Sequence, residues 1–158
     1  MDQKQLNKIL DDHKLWLESK REKGRQAYLK GADLSGANLI GATLSDSNLY
    51  GANLSGANLK GANMLNVKLK GANLTEANLT GANLSGTDLE DANLKGANLV
   101  DANLIWANLA GANLEGAKFT IEIRDVVDLS FCSITKDQLP WLALHPDFSE
   151  FYSTLYVS

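Results

Sequence analysis

From Leu29 to Phe119 an apolar residue recurs at every fifth position, and polar residues and glycine fill the gaps. There are nineteen such centres in unbroken register, all Leu except Met64 and Phe119. On an α-helix, five residues advance about 500°, so the Leu side chains would scatter around the circumference and specify no face. Ala stands two positions before most centres, as Ala32 does before Leu34, so both point to one side of a short extended segment. In a straight strand an odd period would flip that side at each repeat. A turn in every unit removes the conflict and keeps Ala and Leu inside. Gly fills the last slot in twelve of the nineteen units, where a corner needs permissive dihedrals. Asn precedes the centre in thirteen, and Asn tolerates turns and bonds its own backbone. The pattern predicts an all-β solenoid.

Different periods flank the repeat. Over residues 3–23, Leu6, Ile9, Leu10, His13, Trp16 and Leu17 recur at spacings of three and four, which predicts an amphipathic helix stopped at Gly24. Such a helix would cap the first coil, whose strand edge and Leu column are otherwise open. His13 is read as a packing residue of that helix. After Phe119 the period would point Glu122 and Arg124 inward, so an interruption is expected at 120–126. The phase then returns, with Val127, Leu129, Cys132 and Ile134 in inward slots. Thr135 to Gln138 fits a capping box, and Pro140 and Pro146 divide the remaining chain into short helices. The second is expected from about Asp147 to Tyr156, with Phe148, Phe151, Tyr152, Leu155 and Tyr156 on one face as a cap or a dimer contact. Three regions result: a capping helix at 1–26, a solenoid at 27–134 and a helical cap at 135–158.

The tandem Ala-(Asp/Asn)-Leu-x-x units resemble the pentapeptide-repeat family over about 60% of the chain. The resemblance implies a right-handed quadrilateral β-helix with four units per coil, hence about five coils here. Val67 in an Ala slot and Phe119 in a Leu slot would then be local bulges. The stretch from His13 to Ser19, HKLWLES, is similar to a preamble of cyanobacterial members. Many members lack catalysis and act by binding; some resemble duplex DNA in shape and charge and bind DNA gyrase.

Charge weighs against that last mechanism. The repeat region, residues 27–119, holds six lysines against eight carboxylates, and the whole chain has a formal net charge of −4. Asp33, Asp46, Glu76, Asp88, Glu90, Asp91, Asp101 and Glu115 spread over all four sides among those lysines, whereas a DNA mimic needs a continuous negative field. Neither is there a basic patch for direct nucleic-acid contact. Only Asp88, Glu90 and Asp91 cluster, near Lys70, and they are read as a solvated face. Cys132 is alone, which excludes an intramolecular disulfide and fits a reducing cytoplasm. The start lacks the apolar core of a signal peptide, and no stretch is long enough to span a membrane.

No nucleophile stands with a base, no metal-ligand spacing appears, and the glycines are corner residues rather than a phosphate cradle. His145, before Pro146, is read as a turn residue. The expected protein is a non-enzymatic scaffold without cofactor or metal. Its partner would be another protein that no residue identifies, and the chain itself a monomer or a homodimer through its terminal helices. Outward slots hold mostly Ser, Thr, Lys, Asn and Gly; the apolar exceptions are Ile40, Tyr50, Leu65, Val100, Ile105 and Trp106. Of these, Tyr50, Leu65, Ile105 and Trp106 are the candidate interaction patch.

Overall fold

Residues twenty apart lie side by side. The computed structural model describes residues 1–119, 133–134 and 156–157. Parallel bridges join Tyr28 to Asn48, Asn53 to Asn73, Asn73 to Asn93 and Asn93 to Asn113, along with their counterparts on the other sides. Each coil therefore spans twenty residues, or four five-residue units. Most sides carry a single bridged residue, because the rest of the unit is spent on the corner. The pairing widens to two residues where β1 (Asn98–Leu99) meets β2 (Lys118–Phe119).

Each corner is a tight turn. The Ala32 N–H donates to the Leu29 carbonyl at 3.0 Å, and the same bond recurs in successive units. Its third residue is Gly31, at φ 64°, a left-handed dihedral that a type II turn requires and glycine reaches without strain. Asn shapes the approach: the Asn73 Oδ1 accepts the Thr75 N–H at 3.1 Å, and Asn48 does the same for Tyr50. Along one side Asn amides also bond coil to coil, from Asn73 to Asn53 at 3.3 Å and from Asn53 to Asp33 at 3.0 Å. The interior is a set of Leu columns with Ala between them. Leu44, Leu54, Met64, Leu74 and Leu84 have no measurable exposure, and each such side chain contributes about 1.5–3 kcal/mol before chain entropy opposes it.

Val67 makes no bulge. It stands in the column Ala27, Ser47, Val67, Thr87, Ala107, and the bridges of Lys68 to Asn48 and Asp88 are intact. Along this ladder Asn48 N to Ala27 O, Lys68 N to Ser47 O and Asp88 N to Val67 O are all 3.1 Å, against 2.9 Å for Asn73 N to Ala52 O, so the longer bonds are not confined to Val67. Phe119 is partly buried against the core cluster.

Helix α1 (Gln3–Glu18) is shorter than its periodicity suggests. Asp2 caps its start, accepting the Gln5 N–H at 2.8 Å. Its end is set at Ser19, because Lys20 and Arg21 turn left-handed and the Arg21 N–H reaches back to the Trp16 carbonyl at 2.7 Å. Gly24 is not the stop. It lies where the chain doubles back on α1, and a Cβ there would run into the Asp12 carbonyl and sit 2.8 Å from Trp16 N. Leu6 and His13 are buried, and Ile9 and Leu10 partly so.

Later in the sequence, β3 (Ser133–Ile134) pairs in parallel with β4 (Tyr156–Val157). This corrects the expected helix at Tyr156: an aromatic and a β-branched residue there extend a ladder and cover the edge of β3. Phe148, Phe151, Tyr152, Leu155, Cys132, His145 and the 120–126 interruption lie outside the described residues. Among the described residues no helix is long and apolar enough to cross a membrane.

Candidate interaction surface

One side of the rod carries Ser45, Leu65, Ser85 and Ile105 in successive coils, and the corner beside it carries Asp46, Asn66, Gly86 and Trp106. The end nearest α1 is closed: Ser45 is 8% exposed, and its carbonyl lies 2.9 Å from His13 Nε2. Further along, Leu65 is 38% and Ile105 39% exposed. They stand two coils, or about 10 Å, apart with Ser85 between them. Ser85 Oγ donates to the Ile105 carbonyl at 3.0 Å, which ties the side chain down and leaves a low floor between the two aliphatic groups.

Trp106 is the exception at the corner. It holds φ 59° and is 71% exposed. Among the described residues the other non-glycine corners are Asp46, Asn66, Glu76, Asp91 and Asp101, all polar, and Asp and Asn tolerate the left-handed region best. For a bulky residue that conformation costs about 1–2 kcal/mol. In its column the Asn66 Nδ2 donates to Asp46 Oδ1 at 3.4 Å, and Asn66 Oδ1 lies 2.5 Å from where a Cβ on Gly86 would stand. The corner thus runs from polar cover at α1 to a projecting indole.

Tyr50 does not join this group. It lies on the neighbouring side, nearer α1, half exposed under Lys30, whose Nζ is 5.1 Å from its ring centroid. Tyr28, at 69% exposure, adds a second aromatic to that side in a slot that Asn usually fills. Sequence reasoning passed over it, although its break of the Asn rule was the available signal. Lower on the same side Lys70 and Glu90 pair at 2.7 Å, and hydrogen bonding to Glu90 raises the Lys70 pKa above its usual range. Asp33, held by the Ser35 hydroxyl and N–H, has its carboxyl lowered. A shallow groove of about 340 Å³ runs past Thr75, Glu76, Lys95 and Glu115, with Lys95 and Glu115 paired at 3.0 Å. Among the described residues no three His, Cys, Asp or Glu side chains gather in a way that could hold a metal ion.

The twenty-residue coil, its glycine corners and its Leu columns define a solenoid repeat protein. Eight copies of the pattern that describes the pentapeptide repeats match residues 27–66, 61–96 and 97–120, and the chain belongs to that family. Among solved structures it is similar to a pentapeptide repeat protein from the Arabidopsis thaliana thylakoid lumen, at 27% identity over 75% of each chain and a TM-score of 0.47. It is also similar to a pentapeptide repeat protein from the cyanobacterium Cyanothece 51142, at 28% identity, covering 78% of this chain and 97% of that one, with a TM-score of 0.42. QnrB1, a plasmid-mediated fluoroquinolone resistance protein, matches at 24% identity over 70% of this chain and 69% of its own, with a TM-score of 0.35. No curated protein sequence matches the chain.

Proposed function

We propose that this chain is a non-enzymatic binding module, a rigid rod that presents Ile105 and Trp106, with Leu65 beside them, to another protein. The observation that carries the reading is Trp106. A left-handed corner filled by an exposed indole gains little from packing and bears backbone strain, and such strain collects where a contact is made. Glycine, the usual residue of that slot, would avoid both. The right-handed sense implied by the family resemblance belongs to the same proposal.

Capture of partners from the source cell with the full chain tests it, comparing wild type with Trp106→Ala and Ile105→Ser. The expected result is a partner retained by wild type and lost from both variants. An unchanged set of captured proteins would remove the patch from consideration.

Gyrase binding by DNA mimicry ranks below this reading. Lys95 pairs with Glu115, Lys70 with Glu90, and Arg21 reaches Asp46 at 3.3 Å, so cations offset three of the eight carboxylates of residues 27–119 and interrupt the negative field. Potent inhibition of gyrase supercoiling by the purified chain would reverse the ranking.

A further inference from the structure

We propose that His13 is a proton-operated latch: the neutral imidazole holds α1 on the open end of the solenoid, and protonation releases α1 and uncovers that end. His13 is fully buried, and both ring nitrogens are engaged. The Ala27 N–H donates to Nδ1 at 3.1 Å. That nitrogen therefore carries no proton, and the partners assign the hydrogen to Nε2, which donates to the Ser45 carbonyl at 2.9 Å. A second proton would have to sit on Nδ1, facing the Ala27 N–H. It would replace a hydrogen bond with two opposed donors and place a cation where no water reaches.

The groups around the ring do little to hold such a cation. From α1, Trp16 stacks on it at 5.6 Å with an interplanar angle of 21°. From the solenoid come the Leu44 and Ser45 carbonyls and the Asp46 carboxylate. Asp46 is already engaged by Arg21, whose guanidinium also lies 4.9 Å from the Trp16 ring centroid and brings its own positive charge. Burial pushes the imidazole pKa below its ordinary 6.5, and the two carbonyls and Asp46 oppose that push without reversing it. Docked α1 thus binds fewer protons than released α1. The docking free energy is fully present above pH 6.5 and is lost as the pH falls from there through the folded value.

Release would matter because α1 occupies a strand edge. The Met1 amine, just ahead of the helix, donates to the Asp33 carbonyl at 3.0 Å, and Gln3 in its first turn pairs with the backbone of Asn38. With these partners gone, the first coil presents unpaired carbonyls and N–H groups that can accept a strand from another chain.

Amide hydrogen exchange on the full chain at about pH 7.5 and about pH 5, corrected for intrinsic rates, tests the latch. Protection of Ala27 and Asn38 is expected to fall by up to about tenfold per pH unit below the ordinary imidazole range, the limit for one proton taken up per opening. Asn73 and Asn93, mid-rod, should hold their protection. His13→Gln keeps a donor and an acceptor but does not titrate there, and should make Ala27 protection independent of pH, with His145 present in both proteins as a control. Equal loss in His13→Gln would overturn the proposal. Should that variant fold poorly, wild type alone decides: unchanged first-coil protection while the His13 ring titrates at its ordinary value by NMR would overturn it too.

Discussion

Gln3 stands beside Asn38 in place of a β-strand. Its Nε2 donates to the Asn38 carbonyl at 3.0 Å, and its Oε1 accepts the Asn38 N–H at 3.1 Å. One coil further on, the equivalent groups of Asn58 bond to backbone: its N–H to the Ala37 carbonyl at 2.9 Å, and its carbonyl to the Leu39 N–H at 2.8 Å. A primary amide has the same donor and acceptor pair as a peptide unit, so a single side chain closes one side of an edge that would otherwise be open to pairing.

Gln3→Ala should therefore loosen that side selectively. Each of the two exposed hydrogen bonds contributes about 0.5–1.5 kcal/mol, so global stability should fall by no more than about 3 kcal/mol. The Asn38 amide should lose protection at neutral pH while that of Asn78, two coils away, keeps it. Equal loss at both positions in hydrogen exchange would mean that the whole rod, and not its edge, depends on Gln3.

Trp106→Gly separates stability from binding. Glycine removes about 1–2 kcal/mol of left-handed strain but loses about 0.5–1 kcal/mol to the greater entropy of the unfolded chain. With most of the indole in solvent, little packing opposes the gain, and the stability measured by chemical denaturation should stay level or rise by up to about 1 kcal/mol. Partner capture should vanish. Trp106→Ala keeps the strain, so it should lose binding without the gain in stability. A clear drop in stability on Trp106→Gly would show that the indole serves the fold.

How much could be read in advance depends on range. The solenoid and its Leu columns come from a strict local period, since Leu34 and Leu54 can stack only if the chain turns in every unit. Trp106 was visible as a break in the glycine rule, but its dihedral was not. The end of α1 at Ser19 depends on left-handed turns at Lys20 and Arg21, residues whose propensities do not announce them. The roles of Gln3, His13 and Gln26 were beyond reach because they are long-range: each answers a backbone group twenty or more residues away, apart from the His13 bond to Ala27. Tyr50 shares only its hydropathy and its outward slot with Leu65 and Ile105, and the coil geometry places it on another side.

Leu74→Ala measures how far the core can relax. Leu74 is fully buried between Leu54 and Leu94; its N–H bonds to Asn93 in the next coil, and the adjoining Asn73 bonds to Ala52 and Leu54 in the preceding one. A ladder pinned above and below cannot close a cavity by shifting, so the loss should fall in the upper part of the usual range, about 3–5 kcal/mol. Thermal or denaturant unfolding checks this, and a loss under about 2 kcal/mol would show that the column collapses.

Ser47→Ala should stabilise the chain. Ser47 Oγ is buried with no hydrogen-bond partner among the described residues, whereas Thr87, two coils along the same column, donates its hydroxyl to the Leu84 carbonyl at 2.6 Å. Removing an unsatisfied hydroxyl recovers part of a desolvation cost of about 1–3 kcal/mol, and Ala already fills most of these slots without strain. The expected gain is about 1 kcal/mol. Ser47→Val should do the reverse, because Val67 lies directly beneath in the same column, and the bonds on either side of Ser47, Asn48 N to Ala27 O and Lys68 N to Ser47 O, are already 3.1 Å. A second β-branched side chain in sequence would have to lengthen those bonds further or leave its rotamer, an overpacking cost of about 1–3 kcal/mol. Thermal melts of the two variants decide the matter: a destabilised Ser47→Ala would mean that the hydroxyl has a partner after all, and a stabilised Ser47→Val would mean that the column has room that the bond lengths do not show.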